Sequence, residues 1–175
     1  GAHPPLTGIY DQPKQQAWAD KVAQGDAFIF ISPEYNHGYS PALKNALDYL
    51  GKEWVGKPAA YVSYGGSNGS RSIDQIRQVA TQLGLVDSNA VVEIRDIFSR
   101  NQAEEFEANT FDERALKASF DKLVQYVSAY FVLFLSNNVR FSLHKLMSFV
   151  AIQTLFFELY LNHKEAGSFP NRKLK

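Results

Sequence analysis

Ala27–Leu50 reads AFIFISPEYNHGYSPALKNALDYL. Its opening run, Ala27 to Ser32, is short, continuous, apolar and rich in aromatic and β-branched residues. That is the pattern of a strand buried on both faces, as in a parallel sheet. The far end reads as a helix from Ser40 through Leu50, with Ser40 as N-cap and Pro41 at the first helical position, where its missing N–H costs nothing. Between them stand Pro33, Glu34, Tyr35, Asn36 and His37, a dense group of polar side chains at the carboxyl end of a strand.

The neighbouring segments repeat this alternation. Pro13 to Gln24 is expected to be a helix, with Ala17, Trp18, Val22 and Ala23 at helical spacing and Gly25-Asp26 as its stop. Pro58 to Tyr64, PAAYVSY, reads as a second buried strand, broken by the glycine cluster GGSNGS. Ser70 or Ser72 caps the next helix, which runs to about Leu83 and ends at Gly84. Ala90 to Ile94 reads as a third strand. Asp112 to about Tyr130 reads as a further helix, with Leu116, Phe120, Leu123, Val124 and Val127 on one face. Strand and helix in strict alternation imply an α/β fold with a parallel sheet and right-handed crossovers.

The 175 residues suffice for one domain with a real core, and 45% apolar against 21% charged residues is ordinary globular composition. No cysteine is present, which removes disulfides, thiolate nucleophiles and Cys-ligated zinc, and fits a reducing compartment. Eighteen basic and eighteen acidic residues cancel, so no global field attracts nucleic acid or an anionic membrane. The zero hides an asymmetry. Through Tyr130 there are twelve Lys and Arg against sixteen Asp and Glu, giving −4, and from Phe131 onward six against two, giving +4. Composition changes there too, so residues 1–130 are read as the α/β domain and 131–175 as an atypical apolar extension.

GAHPPLTG at the N-terminus shows no charged segment followed by an apolar one, so no signal peptide is expected. Val124 to Leu161 is apolar, but Asn137, Asn138, Arg140, His144, Lys145 and Glu158 interrupt it, and no spanning helix is expected. A soluble, cytoplasmic protein follows as the expectation, with a membrane-surface role for the tail as the alternative.

In open α/β sheets ligands bind beyond the carboxyl ends of the strands. Two loops lie at such ends, Ser32 to Tyr39 and Gly65 to Arg71; if their strands are neighbours, the loops face each other across one crevice. The first offers a rigid turn, a flat ring and an amide, and the second two glycines that let the backbone approach a ligand closely. This suits a planar heteroaromatic ring bearing carbonyls and ring nitrogens, as in a flavin. Each element also has a plainer reading. Pro-Glu-Tyr-Asn alone is an ordinary turn, and His37 alone a surface histidine. GGSNGS alone is a flexible loop, without the Gly-Lys-Ser/Thr ending of a nucleotide P-loop. Lys44 and Asp48, four apart, make a surface ion pair of small value.

SPEYNHGYSPALKNALDYL followed by WVGKPAAYVSYGGSNGSRSIDQIRQVATQLG resembles the NADPH-dependent FMN reductase family of flavodoxin-like proteins, which includes NAD(P)H:quinone reductases and azoreductases. The family pattern is a buried strand, Pro-Glu-Tyr-Asn, Leu-Lys-Asn-Ala-(Ile/Leu)-Asp-(Trp/Tyr), then Gly-Lys-Pro before a strand that ends in a glycine-rich loop. All of it occurs here in order, and the likeness covers about residues 10–125. The resemblance implies a flavodoxin-like three-layer sandwich. Pro33, Glu34, Tyr35 and Asn36 would line the isoalloxazine ring of FMN, Gly65 and Gly66 would cover its other edge through their backbone, and Arg71 would lie toward the nicotinamide or a dimer partner. It also implies ping-pong chemistry, in which NAD(P)H delivers hydride to the flavin, leaves, and a small-molecule acceptor such as a quinone takes the electrons. The flavin makes and breaks the bonds, so no side chain is assigned as an acid–base catalyst and no metal is expected. A homodimer or homotetramer is implied, with the helix Ser40 to Leu50 at the interface.

The family pattern begins with a strand, a phosphate-binding loop, a helix and a second strand, whereas this sequence resembles the family only from the region after them. In the 2-1-3-4-5 order of such sheets the strand AFIFI is then expected at an open edge, and the phosphate site at a helix N-terminus is expected to be missing. Three accounts stand side by side: a fragment or rearranged chain with a foreign tail, a partner chain that covers the edge with the tail helix (Leu143, Met147, Val150) packed across it, or a permuted tail. In the third, Phe131 to Leu135 is a strand beside Phe28 to Ile31, with Ser136, Arg140 and Ser142 standing in for the phosphate loop. The functional alternative is a flavodoxin-like interaction or oligomerisation module that has lost its flavin.

Overall fold

The computed structural model describes residues 8–100, 106 and 108–136. The elements alternate as the sequence implies: α1 (Pro13–Ala23), β1 (Phe28–Pro33), α2 (Pro41–Asp48), β2 (Pro58–Tyr64), α3 (Ser70–Gln82), β3 (Val86–Ile94), α4 (Ile97–Arg100) and α5 (Thr110–Ser136). The strands form one parallel sheet in the order β1-β2-β3. β2 is central and buried along its length except at Tyr64. β1 pairs Phe28 with Ala59 and Phe30 with Tyr61.

One face of the sheet carries Phe28, Phe30, Ala59 and Tyr61, and the core gathers there around Trp54. The Trp54 ring packs edge-on to Phe28 (centroids 5.0 Å), Phe30 (6.0 Å) and Trp18 (6.3 Å). Its indole N–H donates to the Leu47 carbonyl at 3.1 Å, so the buried polar atom is satisfied. Helices cover this face. α1 buries Gln15, Ala19 and Val22, with Trp18 half-buried, an i, i+3, i+4, i+7 stripe; Ala17 and Ala23, expected on the buried face, point to solvent. Gln15 is inside because its amide donates to the Tyr49 carbonyl at 2.6 Å, and the Trp18 indole donates to the Ala46 carbonyl at 3.0 Å, tying α1 to α2.

The opposite face carries Ile29, Ile31, Ala60, Val62 and Val92. Here α5 packs on β3 and β2, with Ser119 and Leu123 buried. β1 lies beyond its cover: Ile31 is 65% exposed. The expectation of a strand buried on both faces therefore holds for β2, while β1 is buried on one face and stands at the sheet edge among the described residues.

Two boundaries differ from the sequence reading for identifiable reasons. β3 begins at Val86, four residues early, in a stretch (Asp87, Ser88, Asn89) of poor strand formers. Between its pairs with Ala59 and Tyr61 the register shifts, and Asn89 takes a positive φ of 51°. Arg77 of α3 pins the irregularity by donating to Asp87 Oδ2 (2.7 Å) and Asn89 Oδ1 (3.2 Å). α5 is helical through Ser136, so Phe131 to Leu135 is not the strand that a permuted tail requires. Arg140, Ser142, Leu143, Met147 and Val150 lie outside the described residues. The buried stripe of α5 runs Asp112, Ser119, Leu123, and Leu116 and Val124, expected inward, are exposed. Among the described residues no helix is long and apolar enough to cross a membrane.

Candidate functional site

The carboxyl ends of β1 and β2 are neighbours, so the two loops do face one crevice. Ser32 closes the first loop at its base: its hydroxyl accepts the Ser40 N–H at 2.9 Å, and its carbonyl accepts the Ser63 hydroxyl at 2.7 Å. Ser40 in turn caps α2, its Oγ accepting from the Leu43 N–H at 3.2 Å. The Glu34 N–H extends the ladder to the Tyr64 carbonyl (2.7 Å), and Tyr35 and Gly38 then exchange both backbone hydrogen bonds. The two residues between them, Asn36 (φ 48°) and His37 (φ 69°), are left-handed, the geometry of a type I′ turn. Gln75 of α3 holds this turn by donating to the His37 carbonyl at 2.9 Å.

In the facing loop, Gly69 occupies the N-cap position of α3 with φ 85°, and a Cβ there would sit 2.5 Å from the Ser63 backbone. Only glycine fits so close an approach. The expected caps fall within the first turn instead: Ser70 is the first helical residue, donating to the Ser67 carbonyl at 3.0 Å, and Ser72 is buried. Gly65 (φ 153°) lies against Glu34, where a Cβ would be 2.8 Å from Glu34 Cβ.

A cleft of about 290 Å³ opens at this point, lined by Pro33 and Glu34 from the β1 end, Tyr64 and Gly65 from the β2 end, and Ile97 and Phe98 from α4. Its polar element is the Glu34 carboxylate, whose side chain is 8% exposed. Arg71 holds Oε1 at 3.0 Å, whereas Oε2 is buried with no partner. A buried acceptor left unpaired costs about 1–3 kcal/mol, and a ligand N–H that reached this oxygen would offset that cost.

Of the residues singled out in the sequence, Pro33, Glu34 and Gly65 line the cleft, and Arg71 stands at its rim, half-exposed, through its ion pair with Glu34. Gly66 adjoins it: a Cβ there would meet only the Phe98 ring edge, at 4.0 Å. Tyr35 and Asn36 lie at the exposed turn rather than in the cleft lining, as does His37. Lys44 and Asp48 form the exposed ion pair anticipated for them. Tyr64, Ile97 and Phe98 are additions. The rule that ligands gather beyond strand ends, applied to the third strand as well as the first two, points to Ile97 and Phe98. Among the described residues no cluster of His, Asp and Glu is arranged to hold a metal ion.

A flat ring system with an imide N–H on one edge, such as a flavin, matches an apolar slot of Pro33, Ile97 and Phe98 beside an unpaired carboxylate oxygen, and the residues fit the ring on that ground.

Over 78 residues the chain is 49% identical to an NAD(P)H-dependent FMN reductase of Schizosaccharomyces pombe, a match that spans 43% of this chain and 39% of the relative. It is 37% identical over 112 residues to an NADPH:quinone oxidoreductase of Arabidopsis thaliana, spanning 62% of this chain and 57% of the relative. The chain thus spans about two fifths to three fifths of the length of these relatives. An oxidoreductase structure from Corynebacterium diphtheriae superposes with a TM-score of 0.50 at 15% identity, covering 71% of this chain and 67% of that one, a likeness of fold. The sequence profile described as NADPH-dependent FMN reductase matches residues 3–98. That interval holds all three strands and every residue that lines the cleft, and it is more than half of the sequence. The chain belongs to the NADPH-dependent FMN reductase family.

Proposed function

We propose that this chain binds FMN by its ring in the cleft and serves as an NAD(P)H-dependent oxidoreductase that passes electrons to a small-molecule acceptor, such as a quinone, an azo compound or free flavin. Bound FMN supplies a ring that takes a hydride from the nicotinamide and yields the electrons to the acceptor. The observation that carries the reading is the Glu34 carboxylate beside the cleft: one oxygen fixed by Arg71, the other buried with no protein partner.

The chain's own residues bind and orient. Glu34 Oε2 accepts the N–H edge of the ring, Arg71 fixes the carboxylate plane, and Gly65 keeps its backbone free of a side chain where the two loops meet. Pro33, Ile97 and Phe98 exclude water from the apolar edge. Tyr35, Asn36 and Gly66 belong to the same proposal as residues that frame the site from the turn and the glycine loop. A homodimer or homotetramer is also proposed, supported by the exposed Ile31 on the β1 edge; an interface through α2 is proposed on the family likeness. A cytoplasmic location is supported by the lack of cysteine.

The test is direct. Protein purified with added FMN is expected to be yellow, to release FMN on denaturation, and to oxidise NADH or NADPH in the presence of menadione. Colourless protein that takes up no FMN and oxidises neither nucleotide would overturn the reading.

A further inference from the structure

Phe98 is the most exposed of the large side chains in the cleft, at 76%, yet the helix that carries it is firmly held. The Ser99 and Arg100 N–H groups donate to the Asp96 carbonyl at 3.0 and 3.1 Å, and the Ser99 hydroxyl donates to the same oxygen at 2.9 Å. Arg100 donates to the Arg95 carbonyl at 3.0 Å and pairs with Asp112 at the start of α5. The backbone is pinned while the ring stands in water. A single exposed phenylalanine calls for no explanation by itself. Phe98 differs because of its place: its ring edge comes within 4.0 Å of where a Gly66 Cβ would sit, it shares the cleft with Ile97, and the same lining includes Glu34, whose Oε2 is buried without a partner. The cleft therefore joins an unpaired acceptor with exposed apolar surface.

We infer that Phe98 is a ring-binding residue of this site, packing against the apolar part of a flat heteroaromatic ligand whose N–H edge is taken by Glu34. The inference rests on the flavin reading and deepens it: it assigns a binding role to the segment beyond the third strand and defines the ligand as a flat ring with one donor edge and one apolar edge. Ligand binding then removes from water the phenyl surface that folding leaves exposed, which improves affinity without altering the stability of the free protein.

The experiment titrates the 175-residue chain with lumiflavin, a flavin ring that carries no phosphate, and with FMN, following the loss of flavin fluorescence. Phe98→Ala is expected to weaken both ligands about three- to tenfold, the range for one lost aromatic contact. Phe98→Trp is expected to bind both at least as tightly as the wild type. The melting temperature of free protein is expected to change little in either variant. Wild-type binding with an unchanged Phe98→Ala affinity overturns the inference and leaves the flavin reading standing. Weakening in Phe98→Ala that Phe98→Trp shares also overturns it, because a structural disturbance and not a lost ring contact is then responsible. No quenching of either flavin by the wild type overturns the inference together with the reading on which it rests.

Discussion

Arg71 reaches across from the start of α3 to place its guanidinium 3.0 Å from Glu34 Oε1, and the other oxygen of the same carboxylate stays buried and unpaired. The two loops that the sheet brings together are thus joined by a half-used acceptor.

The pair yields a prediction about both stability and binding. Glu34 is buried, so Arg71→Ala leaves its carboxylate with no partner and is expected to cost about 1–3 kcal/mol of stability. Glu34 then loses its orientation, and FMN affinity is expected to fall several-fold. Glu34→Gln leaves one oxygen to serve both Arg71 and the ring N–H, and its FMN affinity is expected to drop about tenfold, the loss of one hydrogen bond to a charged group. Isothermal titration with FMN and urea unfolding of both variants provide the check; equal affinities across the set would sink the role given to Glu34.

Three glycines of the second loop are expected to respond differently to the same substitution. Gly69→Ala demands a left-handed alanine and pushes its Cβ into the Ser63 backbone at 2.5 Å. It should cost about 2–4 kcal/mol. Gly65→Ala takes a φ of 153° that L residues rarely adopt and presses on Glu34 Cβ at 2.8 Å, an atom fixed to the backbone, so it should lower both stability and flavin affinity. Gly66→Ala meets only the Phe98 edge at 4.0 Å and should stay within about 0.5 kcal/mol of the wild type. Melting curves rank the three, and Gly66→Ala as the least stable would refute the ranking.

Stability is expected to fall in alkali through the tyrosines. Burial, then the hydrogen bond to Glu53 (2.5 Å), pushes the Tyr10 hydroxyl up to about 12. Burial, then the charge of Asp48, does the same for Tyr39, and burial raises Tyr61 as well. A raised folded-state value means that the unfolded chain loses these protons first, from about pH 10. The stabilisation is therefore complete below pH 10 and disappears as pH climbs through 12. Urea unfolding between pH 8 and 12 should show this decline, and Tyr10→Phe should make it shallower. A slope unchanged by that substitution would count against the Tyr10–Glu53 assignment.

How far the sequence carried the fold depends on where each signal lives. β2 was legible to the residue, because Pro58 to Val62 is an unbroken apolar run and the strand is central in the sheet. β1 has the same apolar look, but its burial depends on what lies beside it, and Ile31 shows the difference. The early start of β3 was illegible because Asp87, Ser88 and Asn89 are held in the strand by Arg77, a tertiary contact ten residues away. In the site, Pro33, Glu34 and Gly65 follow from the rule about strand ends. Ile97 and Phe98 carry no motif; the same rule applied to the third strand points to them, and α4 is anchored there through Arg100.

That anchorage gives the last prediction. Asn109 Oδ1 accepts the N–H groups of Phe111 and Asp112, both at 2.9 Å, while Asp112 Oδ2 accepts the Asn109 N–H at 3.2 Å, a reciprocal capping box at the start of α5. The same Asp112 oxygen pairs with Arg100 of α4, and the pair is largely buried. Asp112→Asn retains an oxygen for the cap and removes the charge opposite Arg100, whereas Asp112→Ala removes both. A lost cap costs about 1 kcal/mol, and breaking a buried pair costs up to about 3–5 kcal/mol when the remaining charge stays buried. Asp112→Ala is therefore expected to be less stable than Asp112→Asn by about the value of the cap. Both variants release α4 from α5, so both should bind flavin more weakly than the wild type, by a similar factor. Denaturant unfolding measures the first difference and flavin fluorescence the second. Unaltered flavin affinity in both variants would show that the Arg100 tether does not position the cleft wall.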